Sequence, residues 1–243
     1  MSNRLPDFLC VGTQKGGTTT LQKLLEQHPE TFLPSEKELQ FFSLHYDRGT
    51  DWYSQKFESA GEDKRCGEIT PYYLFHPEAP SRIHKLLPKV RIIILLRDPV
   101  ERTLSQYFHA RRHGFEPLEL EEALKAEPAR LASGDSFCHQ KQSYVSRSRY
   151  AEQLMRFENI FEQKQILVLR SEDLFHSTAS CWKAIQSFIG LSETPLPNPL
   201  EKANTGSGEA DAVPSVIRDW LRCELSSTVA EIKRKYGISW NWS

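Results

Sequence analysis

The segment Phe8-Leu-Cys-Val-Gly-Thr-Gln-Lys-Gly-Gly-Thr-Thr-Thr-Leu21 constrains the fold of this chain more than any other. It holds a compact apolar run, a glycine-rich turn, and then Leu21, Leu24 and Leu25 at helical spacing. Phe8 to Val11 reads as a short buried strand, and leucines three and four residues apart read as one face of a helix. His28-Pro29 closes that helix, because the residue before a proline is pushed out of the helical region. A strand, glycine loop and helix in this order turns backbone N–H groups and the positive end of the helix toward an anion.

The same order recurs further along. Arg91-Ile-Ile-Ile-Leu-Leu96 is continuously apolar rather than alternating, as suits a parallel strand covered on both faces. It runs into Arg97-Asp-Pro99 and a helix beginning at Pro99 or Val100, with Leu104, Tyr107 and Phe108 on one face. Tyr150 to Phe161 reads as an amphipathic helix, Gln165 to Leu169 as a strand, and Ala179 to Ile189 as a further helix. Together these units specify an α/β fold: a P-loop-like, three-layer domain whose central, mostly parallel sheet is flanked by helices, one domain over residues 1–243. Glu116 to Gln142 is polar, helical at Leu118 to Lys125, and expected outside the core. Leu191 to Pro214 is a long irregular loop. Val216 to Tyr236 is amphipathic, and the aromatic tail at Trp240 and Trp242 is expected to pack back on the domain.

Charge excludes some partners. Lys plus Arg is 31 against 32 Asp plus Glu, a formal charge of −1, so nothing draws the whole chain to nucleic acid or to an anionic membrane. No apolar run reaches membrane-spanning length, and Phe8 to Val11 is too short for the core of a signal peptide. Five widely spaced cysteines without a Cys-x-x-Cys pair argue against a disulfide scaffold and against a zinc site. The expectation is a cytoplasmic protein without a cysteine-bound zinc site.

The loop itself decides between anions. Gly12 and Gly17 have the spacing of the nucleoside-triphosphate motif, but Thr18 stands where that motif has its lysine. The basic group is Lys15, inside the loop, where it would reach the bridging oxygen of a mixed phosphate–sulfate anhydride. Read alone, a glycine pair also serves the tight geometry of many strand-to-helix turns.

Four blocks carry a resemblance to a known family: Val11 to Leu21, Pro34-Ser-Glu-Lys-Glu-Leu-Gln-Phe-Phe42, Gly67-Glu-Ile-Thr-Pro-Tyr-Tyr73 and Leu96-Arg-Asp-Pro-Val-Glu-Arg-Thr-Leu-Ser105. In that order they resemble the sulfotransferases that use 3′-phosphoadenosine 5′-phosphosulfate (PAPS), in particular the heparan sulfate-type enzymes and their bacterial relatives. The resemblance implies PAPS as sulfuryl donor, its 3′,5′-bisphosphate (PAP) as product, a carbohydrate or small-molecule acceptor, and no metal. It implies that Lys15 meets the transferring sulfuryl group and that Gly16, Gly17, Thr18, Thr19 and Thr20 bind the 5′-phosphate. Arg97 and Ser105 would bind the 3′-phosphate, and Glu68 would be the general base.

Some relatives use a histidine base, which makes His45, beside Phe41-Phe42, the substitute. Lys37 stands with His45 as a substrate-side residue, and Arg102, Arg111 and Arg112 as further cations of an acceptor cleft. Lys202 and Asn204 fall where the family has a basic loop over the nucleotide, but Glu201-Lys-Ala203 departs from its Arg-Lys-Gly pattern. Two other readings remain open at this point: a nucleotide kinase or triphosphatase of related fold, and a non-catalytic nucleotide-binding module.

Overall fold

The computed structural model describes residues 4–197 and 208–242. Lys202 and Asn204 lie outside the described residues. The chain packs into two compact units: Met1–Leu96 with Leu154–Ala203, and Arg97–Gln153 with Asn204–Ser243.

The first unit is built on a five-stranded parallel sheet of order β2-β3-β1-β4-β5. Its strands are β1 (Phe8–Gly12), β2 (Thr31–Phe32), β3 (Arg65–Ile69), β4 (Arg91–Leu96) and β5 (Ile166–Arg170). The expected strands at 8–11, 91–96 and 165–169 are therefore present. β3 is an addition that the sequence pattern hides.

Alternation along each strand sends successive side chains to opposite faces. Phe8 and Cys10 of β1, with Ile93 and Leu95 of β4, face one layer. That layer holds Leu21, Leu24 and Leu25 of α1 (Thr18–Glu26) and Trp182, Ile185 and Ile189 of α9 (Thr178–Ile189). The alternate residues Leu9, Val11, Ile92 and Ile94 are equally inaccessible, so the second face is covered as well. This is why the β4 run is continuously apolar. Burial leaves the Cys10 thiol pushed up to about 12. At the β1–β3 seam, Phe8 pairs with Gly67, where a Cβ would sit 2.1 Å from the Phe8 ring.

The smaller helices of this unit are α2 (Gly49–Gln55), α3 (Ala79–Leu86) and α8 (Asp173–His176). The expected helix at Ala179 to Ile189 is α9, and a short α8 precedes it with Ser177 between them. Helix α7 (Tyr150–Glu158) ends before the expected Phe161.

The second unit is helical. Helix α4 (Pro99–Arg112) starts where expected because Asp98 accepts from the Val100 and Glu101 amides at 2.8 and 3.1 Å, with Pro99 in the first turn. Its apolar face packs with α5 (Leu120–Ala132) and α10 (Ser215–Tyr236) through Leu104, Tyr107, Leu124, Leu221 and Leu225. The expectation that residues 116–142 lie outside the core is corrected: Ala123, Leu124 and Glu127 are buried. The Glu127 carboxylate accepts from the Tyr144, Val145 and Ser146 amides at 2.8–2.9 Å. Residues 136–141 form α6 (Ser136–Lys141). The aromatic tail packs back as expected, with Trp242 donating to Asp98 at 2.8 Å and Trp240 set against Tyr150.

Candidate functional site

In the first unit the loop after β1 is hung on the end of β4. The Thr13 amide donates to the Leu95 carbonyl at 2.9 Å, and the Gly16 amide to the Thr13 carbonyl at 2.9 Å. A Cβ at Gly16 would lie 2.9 Å from both carbonyl oxygens, so only glycine fits without displacing backbone. Lys15 and Gly17 both have positive φ, +68° and +87°. Lys15 thus occupies a conformation that side chains other than Gly, Asn or Asp seldom adopt. Gly17 caps α1 without a side-chain hydrogen bond, and a helix start leaves its first N–H groups seeking an acceptor.

Two hydroxyls at this loop are buried and unpartnered, Thr13 Oγ1 and Thr20 Oγ1. Thr18 is buried too, while Thr19 is half-buried and accepts from Lys37 Nζ at 2.6 Å. Backbone donors, orphaned hydroxyls, Lys15 and a helix N-terminus together form a cradle for a multiply charged anion. The five loop residues named from sequence, with Lys15, are brought together here.

Glu68 lies in β3, one residue before the strand ends and the chain turns at Thr70; it is 2% exposed and held by three hydroxyls. Tyr73 Oη and Thr70 Oγ1 donate to its Oε1 at 2.7 and 2.6 Å, and Tyr53 Oη donates to its Oε2. Burial pushes its carboxyl upward; the Thr70, Tyr53 and Tyr73 hydrogen bonds act against that and the Glu38 charge adds to it. The same burial, with Glu68 beside them, holds the Tyr53 and Tyr73 hydroxyls well above their ordinary range.

A cavity of about 10 Å³, room for one water, opens against Glu68. Its wall includes Gln22, Glu36, Lys37 and Glu38. Gln22 Oε1 is a buried oxygen without a partner. Glu38 is half-buried, has φ +55°, and its Oε2 accepts from Gln40 Nε2 at 3.4 Å; Gln40 has φ +56°. Side chains in that region are uncommon and concentrate where geometry serves function. Lys37 thus joins this cavity and the anion cradle. The residues lining this cavity do not include His45: its ring meets Trp52 edge-on at 5.8 Å, its amide donates to the Gln40 carbonyl at 3.0 Å, and its charge reaches Glu36 of the cavity wall.

Glu38 and Gln22 are residues of this cavity wall that the sequence alone does not single out. Glu38 sits in Ser35-Glu-Lys-Glu38, a charged run that reads as solvated surface, and no pattern in the sequence announces its left-handed backbone.

In the second unit, Arg97 follows β4 directly in the chain and is half-buried. Its carbonyl accepts from Tyr150 Oη at 2.9 Å. Asp98 caps α4 and accepts from Trp242, and Glu101 pairs with Arg218. Ser105 is half-exposed on α4, eight residues after Arg97.

Each of the other arginines named for an acceptor cleft makes contacts within the second unit. Arg102 is fully buried, donating to Ser148 Oγ at 2.6 Å and to the Tyr144 carbonyl, and burial lowers its guanidinium to about 10. Arg111 ties down the Pro117 carbonyl at 2.8 Å, and Arg112 pairs with Glu209 at 2.6 Å. Among the described residues no group of three His, Cys, Asp or Glu gathers as metal ligands, and no helix is long and apolar enough to cross a membrane.

The family model described as "Sulfotransferase domain" matches residues 5–205. Human bifunctional heparan sulfate N-deacetylase/N-sulfotransferase 3 is 35% identical over 201 residues, covering 78% of this chain and 23% of that protein. The membrane-associated sulfotransferase kil1 of Dictyostelium discoideum is 41% identical over 122 residues, covering 47% of this chain and 26% of that protein. The crystal structure of a sulfotransferase from Alicyclobacillus acidocaldarius superposes with a TM-score of 0.83 at 25% identity, covering 98% of each chain. Mouse sulfotransferase SULT7A1, solved in complex with PAP, shares the fold at 17% identity, with a TM-score of 0.59 over 96% of this chain and 86% of that one. The chain spans about a quarter of the length of the curated relatives it matches.

Proposed function

The chain belongs to the sulfotransferase family, and from that premise we propose that it transfers the sulfuryl group of PAPS to an acceptor hydroxyl, less readily an amine, of a carbohydrate or small molecule. The observation that carries the donor assignment is the loop after β1, whose buried Thr13 and Thr20 hydroxyls have no partner among the described residues and whose Gly16 leaves no room for a side chain. A 5′-phosphosulfate supplies the acceptor oxygens those groups need. The triphosphate reading lacks support, because Thr18 follows Gly17 where a lysine is required. The heparan sulfate relatives favour a carbohydrate acceptor.

In the proposed reaction the acceptor oxygen attacks sulfur in line as the bond from sulfur to the bridging oxygen breaks. The pair of electrons in that bond leaves with PAP. Lys15 neutralises the charge growing on the bridging oxygen, the step that a loose transition state most needs. Gly16, Gly17, Thr18, Thr19 and Thr20 hold the 5′-phosphate, and Arg97 and Ser105 the 3′-phosphate. Metal-independent transfer is part of the proposal, since these cations and donors supply the positive charge.

A glutamate takes the acceptor proton. Glu68 is the residue the resemblance implies, but its oxygens already accept from three hydroxyls and it is 2% exposed. Glu38, on the same cavity wall and half-buried, is the carboxylate open to an incoming proton, and we assign it that role. Residence in a reducing cytoplasm belongs to the same proposal, supported by five cysteines that form no disulfide. One sulfotransferase domain over residues 1–243 is part of the proposal, supported by a family match over residues 5–205 that takes in residues of both packed units.

Calorimetric titration tests the donor assignment. Tight, magnesium-independent binding of PAP with much weaker binding of ATP is the expected result. Preference for magnesium-ATP would remove it.

A further inference from the structure

Each hydroxyl on Glu68 has one proton. Thr70 spends its proton on Glu68 Oε1, so its remaining lone pairs accept, and they take the Gln40 amide at 3.4 Å. Tyr73 spends its proton on the same oxygen and accepts from the Phe42 amide at 3.2 Å. The carboxyl group thereby turns both hydroxyls into acceptors aimed at one strap of backbone, residues 40–42.

The aromatic packing agrees. Phe41 stacks on Tyr53 with ring centroids 4.2 Å apart, and Phe42 meets Tyr73 edge-on at 5.5 Å. The strap needs such support, because Glu38 and Gln40 both hold left-handed backbone, which persists only where the surroundings over-determine it. The Gln40 carbonyl is fixed as well, by the Leu44 and His45 amides at 2.9 and 3.0 Å, and the Gln40 side chain reaches Glu38.

We infer that Glu68 is a positioning residue, which acts through Thr70 and Tyr73 to clamp residues 40–42 and so sets Glu38 and Lys37 against the cavity. The inference rests on the reading of Glu38 as the proton acceptor. It also explains a buried carboxyl in a strand that pairs with the middle strand of the sheet: an apolar residue there would leave the Thr70, Tyr53 and Tyr73 hydroxyls without an acceptor.

Amide hydrogen exchange followed by NMR separates the clamp from the chemistry. In Glu68→Gln, Thr70→Val and Tyr73→Phe, exchange at Gln40 and Phe42 is expected to rise on the order of tenfold while amides of β1 and β4 keep their protection, and Thr70→Ser restores the wild-type rates. Kinetics with PAPS and completely desulfated heparan sulfate as the acceptor probe give the second readout. The expected pattern is a fall in kcat of about tenfold with the KM for PAPS unchanged. The acid limb of the pH–rate profile is expected to survive in Glu68→Gln and to vanish in Glu38→Gln.

Unchanged exchange at both amides in Glu68→Gln and Tyr73→Phe would overturn the inference. So would an acid limb lost in Glu68→Gln and kept in Glu38→Gln, which would make Glu68 the base. The exchange measurement decides the clamp even if the probe is not sulfated. Failure of PAP to bind would strike the donor assignment and leave the clamp standing.

Discussion

Lys37 Nζ donates to Thr19 Oγ1 at 2.6 Å, which ties the wall of the Glu68 cavity to the first turn of α1. An exposed ammonium held by one hydroxyl contributes little to stability. Its value is positional, since it brings a cation to the junction of the two pockets. Lys37→Ala is expected to leave the melting temperature unchanged and to lower kcat/KM by roughly fivefold, about 1 kcal/mol, as for loss of one hydrogen bond. Steady-state kinetics beside a thermal melt checks both halves.

Lys15 meets charge that grows only as the anhydride breaks. Lys15→Ala is therefore expected to reduce kcat by about 10² to 10³ with a smaller change in the KM for PAPS. An equal loss confined to KM would show that Lys15 binds the ground state instead.

Gly16 has backbone oxygens of Leu95 and Thr13 on either side, each 2.9 Å from where a Cβ would stand. Neither can give way as a flexible side-chain end would. Gly16→Ala is expected to cost about 1–3 kcal/mol in denaturant unfolding through overpacking. It should also weaken PAP binding more than tenfold by opening the cradle, which calorimetry would read.

Arg97 keeps its tie to Tyr150 through its own carbonyl, so truncating the side chain spares that contact. Arg97→Ala is expected to weaken PAP binding by roughly 10- to 100-fold, the worth of a charged hydrogen bond of about 1.5–3 kcal/mol. Affinity for 5′-AMP, which lacks the 3′-phosphate, should not change. Equal losses for both nucleotides would remove the 3′-phosphate assignment.

Glu68 makes stability depend on pH in the direction opposite to an ordinary paired carboxylate. Burial raises its folded pKa above the ordinary 4.5, so the folded chain holds a proton that the unfolded chain releases. The stability from that carboxyl is complete below 4.5 and is lost as pH rises through the folded value. Thermal melts from acidic to neutral pH should show Glu68→Gln gaining on the wild type as pH rises.

Much of the fold was legible because its central elements obey simple rules. The β1 and β4 runs are continuously apolar, Gly12 to Gly17 marks the loop, and Asp98-Pro99 marks the start of α4. The β3 strand escaped because Arg65-Cys-Gly-Glu-Ile69 offers neither an apolar run nor alternation. Its glycine is there to admit the Phe8 ring, and its glutamate is buried by partners up to 15 residues away in the chain. α5 was misjudged for a related reason: its charged composition hides Ala123, Leu124 and Glu127, which only tertiary packing shows to be the inner face. The turn between β1 and α1 was readable from its glycines. The cavity wall was not, since Glu38 gains its place from backbone geometry rather than from its neighbours in sequence.

Cys10, in the middle of β1 with strands on both sides, turns the sheet into its own alarm. While β1 stays between β3 and β4, its thiol meets no solvent and, pushed up to about 12, forms almost no thiolate. A thiol reagent finds it only after the central strand has come loose. Exposed Cys223 marks the protein at once, and the delay before Cys10 follows measures how long the heart of the sheet stays shut.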